Sequence, residues 1–290
     1  MSVLAVTPAG PAESKLVDGT ADLVIRARSG WIPVDWAELW HFRELLYFLV
    51  WRDLKVRYKQ TVLGVAWAVL QPVFSMVVFT VIFGRLAKLD SEGFDYSVFV
   101  YAGLLPWTFF SSAVGLAGQS LVNQQNLLTK IYFPRLFIPT ASIGASLVDM
   151  AISTAVYGVI LAWYRVCPSW QVVYLPGLVL LTVLAVLGFG FLLAALTVRY
   201  RDFRFVIPFM LQVMMYISPV VYPVSMVPVR YQWVLALNPM AGIIDAYRSA
   251  ILGKPWNGTA LAVSSAMAVG LFVLGLFYFR RTERQFADIA

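Results

Sequence analysis

"WRDLKVRYKQTVLGVAWAVLQPVF", Trp51 to Phe74, passes from one solvent to another within a single line of sequence. Its first nine residues hold Arg52, Lys55, Arg57 and Lys59 against a lone Asp53, and from Thr61 onward no charge occurs until Arg85. A bilayer core of roughly 30 Å takes about 20 apolar residues in a helix, and Lys and Arg collect at the cytoplasmic end of a span. The stretch therefore reads as a cationic flank followed by a first membrane span.

The whole chain agrees with that reading. Of 290 residues, 60% are hydrophobic and 13% charged, far from the roughly 45–50% apolar and 25% charged composition of soluble domains. This is the composition of an integral membrane protein. A single Cys167 excludes an intramolecular disulfide and a cysteine metal cluster, and a single His41 removes most histidine-based metal and triad chemistry. No metal site and no nucleic-acid partner is expected. Residues 1–35 are rich in small and polar side chains and their first thirty lack the apolar core of a signal peptide, so they read as a retained, flexible cytoplasmic tail.

Charge-free runs cover Val62–Gly84, Tyr96–Gly118, Trp170–Val198, Phe205–Val229 and Pro255–Phe279, and Leu136–Tyr164 qualifies apart from Asp149. Between the last two spans, Tyr231–Ile244 has only fourteen uncharged residues and is broken by Asn238-Pro239, the length of a re-entrant or interfacial segment. With six spans and a cytoplasmic N-terminus, the inside carries twelve basic residues (Arg52, Lys55, Arg57, Lys59, Lys130, Arg135, Arg199, Arg201, Arg204, Arg280, Arg281, Arg284) and the outside six. A seventh span would throw "RRTER" to the outside. The positive-inside rule thus favours six spans with both termini cytoplasmic.

The expected architecture is all-α and membrane-embedded. A helix over 36–60 precedes a six-span domain over 61–284 and a short cytoplasmic tail over 285–290. In "DWAELWHFRELLYFLVWRDLKVRYKQ", apolar residues Trp36, Leu39, Trp40, Leu46 and Val50 recur near helical spacing among Glu38, Arg43, Glu44, Arg52 and Lys55. Such a helix lies on the inner leaflet, tryptophans at headgroup depth and basic residues on anionic lipid. A plain basic flank serving topology alone is the alternative, but it does not call for tryptophans at 31, 36, 40 and 51.

The loops leave no room for a soluble catalytic domain. An NTPase needs a phosphate cradle such as G-x-x-x-x-G-K-[ST], and the only Gly-Lys here, Gly253-Lys254, is followed by Pro255. "NGT" at Asn257 matches a glycosylation sequon but adjoins a span and reads as chance. After the fifth span, Pro219, Pro223, Pro228, Pro239 and Pro255 each remove a helical N–H. Broken backbone at membrane depth survives only where it is buried in protein or lines an aqueous cavity, so two short helices dipping in from the outer face are expected, against the alternative of a surface-lying loop. Asp149 sits deep in a span, where a charge costs about 2.5–3.5 kcal/mol on insertion scales. It reads as a polar contact to a neighbouring helix near the small-residue stretch Thr140–Ser146, or else as a proton relay. Tyr101, Trp107, Phe109 and Phe110 in "YAGLLPWTFF" offer faces on which sugar rings stack, although aromatic residues in spans also serve packing.

Several stretches together resemble one family. The amphipathic N-terminal helix, "VRYKQTVLGVAWAVLQP", "LLTKIYFPRLFIP", "VRYRDFRFVIP", "ISPVVYP" and "LNPMAGIIDAYRSAILG" are similar to the permease subunits of ATP-binding-cassette polysaccharide exporters, the type-2 superfamily of O-antigen, capsule and teichoic-acid permeases. The resemblance covers about Trp36 to Arg284. It implies a non-catalytic homodimeric channel in the bacterial inner membrane, served by two copies of a separate nucleotide-binding subunit that carries the ATP and Mg. The expected cargo is a lipid-linked glycan, most nearly an undecaprenyl-diphosphate-linked O-antigen, with a capsular polymer or teichoic acid as the alternatives. On that footing Tyr101, Trp107, Phe109 and Phe110 are candidates for the path, and Arg52, Lys55, Arg57 and Lys59 for a rim that meets the lipid diphosphate. Lys130, Ile131, Tyr132, Phe133, Pro134 and Arg135, with Arg199, Arg201 and Asp202, are candidates for the ATPase contact, the first loop presenting Ile131, Tyr132 and Phe133 together. Pro219, Pro223, Asn238, Pro239, Asp245 and Arg248 form the candidate outer gate. An ion-coupled transporter and a membrane-embedded transferase are the rival classes, opposed by the scarcity of intramembrane charges and of paired carboxylates or a loop histidine.

Overall fold

The protein is described from a computed structural model, which defines residues 36–59, 64–125, 127 and 133–283. Among these residues every regular element is helical. The chain runs through α1 (Trp36–His41), α2 (Arg43–Lys59), α3 (Gly64–Phe79), α4 (Tyr96–Asn123), α5 (Phe137–Trp163), α6 (Leu175–Arg199), α7 (Phe203–Ile217), α8 (Val229–Ala236), α9 (Pro239–Leu252) and α10 (Gly258–Thr282). Among the described residues, five segments are long and apolar enough to cross a membrane: Ala66–Leu86, Tyr96–Asn123, Phe137–Trp163, Trp170–Arg199 and Gly258–Thr282.

The expected fifth span, Phe205–Val229, is the main departure. Its helix is α7, which ends at Ile217 after fifteen residues, about 22 Å at 1.5 Å per residue. Pro219, Pro223 and Pro228 forbid its continuation. The non-helical segment that follows is tolerated at this depth because Ser218, Val220 and Val221 are buried in protein. The interfacial helix also departs from expectation, breaking at Phe42 into α1 and α2. One side of α2, with Leu45, Leu46, Leu49 and Val50, packs on α5 and the neighbouring helix ends, while Tyr47, Phe48 and Trp51 face outward.

Helix starts follow short-range chemistry. Asp95 caps α4 by accepting from the Ser97 N–H at 3.0 Å, and Asn238 caps α9 by accepting from Met240 at the same distance. Asn257 of the "NGT" stretch caps α10 by accepting from Ala260 at 3.1 Å, and Thr259 Oγ1 donates to its side-chain oxygen at 2.9 Å. That is a local structural reason for Asn257 and Thr259.

α4 is the centre of the bundle, packed by α3, α5, α6, α7 and α9. Lipid tails are as apolar as leucine, so helix association in a membrane relies on close packing, which small residues permit. The crossing of α6 and α10 shows it. A Cβ on Gly275 would lie 2.2 Å from the Gly188 carbonyl oxygen, and one on Gly188 would lie 2.6 Å from the Phe272 nitrogen. The two backbones touch.

Candidate functional site

Two polar centres stand out in this apolar bundle, one at the start of α4 and one beside its middle. The first gathers around α9, which is buried along its whole length against α4, α6 and α10. A surface-lying outer loop, the alternative considered for this stretch, does not match that burial. Arg248 on α9 is fully buried. Its Nε donates to the Phe99 carbonyl at 3.4 Å, Nη1 to that of Tyr222 at 3.3 Å and Nη2 to that of Val220 at 2.6 Å. The guanidinium also stacks 3.8 Å from the Phe99 ring centre. Gly103 makes room, since a Cβ there would lie 2.7 Å from Nη2.

Two of the carbonyls that Arg248 takes, those of Val220 and Tyr222, belong to the proline-broken segment after α7. Tyr96 adds a third clasp on the same segment, its hydroxyl donating to the Val221 carbonyl at 2.6 Å. Asn238 Nδ2 donates to Ser218 Oγ at 2.8 Å. Thus Asn238 and Arg248 engage the segment that contains Pro219 and Pro223, while Pro239 opens α9. Asp245, one turn before Arg248, lies 3.7 Å from Lys254, which also pairs with Glu92. Glu92 and Lys254 were not foreseen. The cue available in sequence was the persistence of charge in short loops beside long apolar runs, but nothing local pairs residues so far apart.

The second centre lies beside the middle of α4 and α5. Arg57, near the C-terminus of α2, forms an ion pair with Asp149 of α5 at 2.8 Å and donates to Ser112 Oγ of α4 at 3.4 Å. Tyr58 donates its hydroxyl to Asp149 as well; burial chiefly, and then that hydrogen bond, push the phenol's pKa upward. The polar contact expected for Asp149 therefore exists, and its partner is the helix before the first span rather than another span. These residues border a cavity of about 680 Å³. Phe109, Ser111, Ser146 and Ser153 form its inner wall, with Trp67 and Gln71 of α3 on the opposite side.

The remaining candidates divide by location. Tyr101 stacks on Tyr157 with ring centres 5.0 Å apart and donates to the Ser153 carbonyl at 3.2 Å. Trp107 leans on Phe110 at 5.7 Å, and Phe110 meets Phe189 edge-on at 5.5 Å. All three are buried, because this part of α4 is packed by α3, α5, α6, α7 and α9; only Phe109 of the four borders the cavity. Arg52 is occupied by Asp53, its Nε and Nη2 donating at 3.0 and 2.8 Å, and Lys55 and Lys59 are exposed.

Lys130, Ile131 and Tyr132 lie outside the described residues. Phe133 and Pro134 are buried rather than presented, Phe133 packing with Leu49, Leu136 and Phe137. Arg135 Nη1 donates to the Glu283 carbonyl, and Arg280 pairs with the Glu283 carboxylate at 2.8 Å. The loop therefore fastens to the end of α10. Arg199 lies 5.4 Å from the Tyr200 ring centre, and Arg201 and Asp202 are exposed in the turn between α6 and α7.

A bundle of apolar helices, several of them long enough to cross a bilayer, is that of a multi-pass membrane protein. The chain belongs to the ABC-2 type transporter family, whose sequence pattern matches residues 44–252. Along 254 residues it is 33% identical to the O-antigen export system permease protein RfbA of Myxococcus xanthus, spanning 87% of this chain and 97% of that one. A Klebsiella pneumoniae protein of the same name is 27% identical, with 85% and 95% covered. The polysialic acid transport protein KpsM of Escherichia coli is 25% identical, with 80% and 91% covered.

Proposed function

We propose that this chain is the channel-forming subunit of an ATP-driven exporter that carries a lipid-linked polysaccharide, an undecaprenyl-diphosphate-linked O-antigen, across the bacterial inner membrane. The observation that carries the reading is the similarity to the Myxococcus O-antigen permease over nearly the full length of both chains. Two copies form the pathway, and each is served by a separate nucleotide-binding subunit that supplies ATP and Mg. This chain contributes no catalytic residue. The outward aromatic face of α7, with Phe205 80%, Phe209 67% and Tyr216 60% exposed, supports a face available to a second copy or to lipid. The excess of basic residues on one side of the expected spans supports a cytoplasmic position for both termini.

In this reading the diphosphate arrives at the rim formed by Arg52, Lys55 and Lys59, where a guanidinium suits phosphate oxygens, while Arg57 of the same rim is turned to Asp149. The ATPase engages the segment around Lys130–Arg135, with Arg199, Arg201 and Asp202 beside it. Arg135 fastens that segment to the end of α10, so a push there reaches more than one span. At the other end, Pro219, Pro223, Asn238, Pro239, Asp245 and Arg248 form a gate that moves as one body, because Arg248 and Asn238 bind the proline segment to α9.

Deletion of the gene should abolish surface polysaccharide and leave lipid-linked glycan inside the cell, with both restored by the wild-type chain. Unchanged surface polysaccharide in the deletion strain would reject the proposal. The similarity to KpsM favours a capsular polymer as the second reading, and the chemical identity of the retained glycan decides between them.

A further inference from the structure

The cavity between α2, α3, α4 and α5 reaches the middle of the spans, where Phe109, Ser112, Ser146 and Asp149 line it. A polar lining at that depth is costly unless it is used. At about 680 Å³ it falls within the roughly 300–1,000 Å³ of small-ligand pockets. Its charges cancel, Arg57 against Asp149. A diphosphate entering would meet the Asp149 carboxylate as well as Arg57, so an anion is a poor occupant. A zwitterion would have to split a 2.8 Å ion pair.

A neutral polyol needs neither. Asp149 accepts from Arg57 and Tyr58, and an ionised carboxylate has about four acceptor positions, which leaves capacity for ligand hydroxyls. Ser146 gives a second, independent sign. On α5 the hydroxyls of Thr140, Ser142 and Thr154 donate to the carbonyl four residues earlier, at 2.7, 3.2 and 2.8 Å. Ser146 is fully buried, and its Oγ has no hydrogen-bond partner though the residue lines the cavity. A buried hydroxyl that declines its helix carbonyl and has no other partner is unusual. Trp67, 59% exposed, provides an aromatic face on the α3 side, suited to the C–H face of a ring whose hydroxyls point at Asp149 and the serines.

We propose that this cavity is a sugar-binding subsite within each protomer, taking one or two neutral pyranose units. Asp149 and Ser146 receive the hydroxyls, and Trp67 packs on the ring. The sugar's source, a glycan chain or a glycolipid headgroup, rests on the exporter reading; the binding itself does not.

The test is a single-cysteine probe, Gln71→Cys in a Cys167→Ser background, reconstituted in phosphatidylcholine nanodiscs and labelled with a maleimide. Octyl glycosides of glucose, galactose, mannose and rhamnose are added below their micellar concentrations. Octanol, octyl phosphate and octylphosphocholine serve as matched controls. At a glycoside concentration four times its Kd, labelling should slow about fivefold by simple occupancy, with no comparable slowing by the three controls. Asp149→Asn and the milder Ser112→Ala and Ser146→Ala should each reduce the protection, whereas an exposed site at Tyr231→Cys should show none. Protection by a tail-free disaccharide as well assigns the site to a glycan chain, and protection by alkyl glycosides alone assigns it to a glycolipid headgroup. Absence of protection by every glycoside, or equal protection by octanol, octyl phosphate or octylphosphocholine, overturns the proposal. Because labelling is read without transport, either result stands apart from the outcome of the gene-deletion experiment.

Discussion

Arg248 is buried 3.8 Å from the centre of the Phe99 ring, and all three of its side-chain nitrogens donate to backbone carbonyls. One side chain thus binds α9 to the start of α4 and to the proline segment. Arg248→Met keeps much of the bulk but leaves those carbonyls unpaired, at about 1–3 kcal/mol for each buried group. The detergent-solubilised protein should lose several degrees of thermal midpoint or fail to be recovered. Arg248→Lys should fall close to Arg248→Met, because a single ammonium cannot reach all three carbonyls in the guanidinium's planar geometry.

The contact of α6 with α10 gives a controlled comparison on one helix. A methyl at Gly275 meets the Gly188 carbonyl, whereas one at Gly270 meets nothing within 4 Å. Gly275→Ala should cost about 1–3 kcal/mol through overpacking, and Gly270→Ala should be neutral or slightly stabilising through helix propensity. Melting curves of the two variants check this; equal midpoints would mean the helices are not in backbone contact.

Arg52 and Arg57 should respond to lysine for different reasons. Arg57 bridges Asp149 and Ser112 on two helices, while Arg52 pairs only with the adjacent Asp53. Arg57→Lys should therefore lower glycan export several-fold through the lost bridge; a comparable loss in Arg52→Lys is expected if its guanidinium clamps the lipid diphosphate, and near-wild-type export there would remove Arg52 from that role. Surface polysaccharide per unit of inserted protein is the readout.

Phe133 and Tyr132 should separate stability from coupling. Phe133 is buried beside Leu49 and Phe137, so Phe133→Ala should destabilise the chain by about 3–5 kcal/mol. Tyr132→Ala should leave the fold intact and weaken co-purification of the nucleotide-binding subunit. Normal partner binding and normal export in Tyr132→Ala would move the coupling role to Arg199–Asp202.

How much of this was legible beforehand depends on the range of the interactions. Long charge-free runs located five spans, since each reports only on its own stretch of chain, and Asn238-Pro239, read as a break in a short apolar segment, falls where α9 begins. The fifth span was overextended because hydropathy continues past Ile217 while Pro219, Pro223 and Pro228 end the helix. Arg57 and Asp149 were singled out separately but not paired; no local pattern joins residues on helices that meet only in the folded chain. For the same reason the aromatic residues of α4 looked available for a path. Their burial follows from the central place of α4, which depends on every other helix.

The most direct measurement of the central claim is transport itself. The chain, co-reconstituted with its nucleotide-binding partner in proteoliposomes, is supplied with radiolabelled undecaprenyl-diphosphate-linked glycan on the ATPase side. Appearance of glycan on the opposite side, dependent on ATP and Mg and lost when the partner cannot hydrolyse ATP, is the expected result. An assembled complex that hydrolyses ATP yet moves none of the lipid-linked glycan made by the source cell would contradict it.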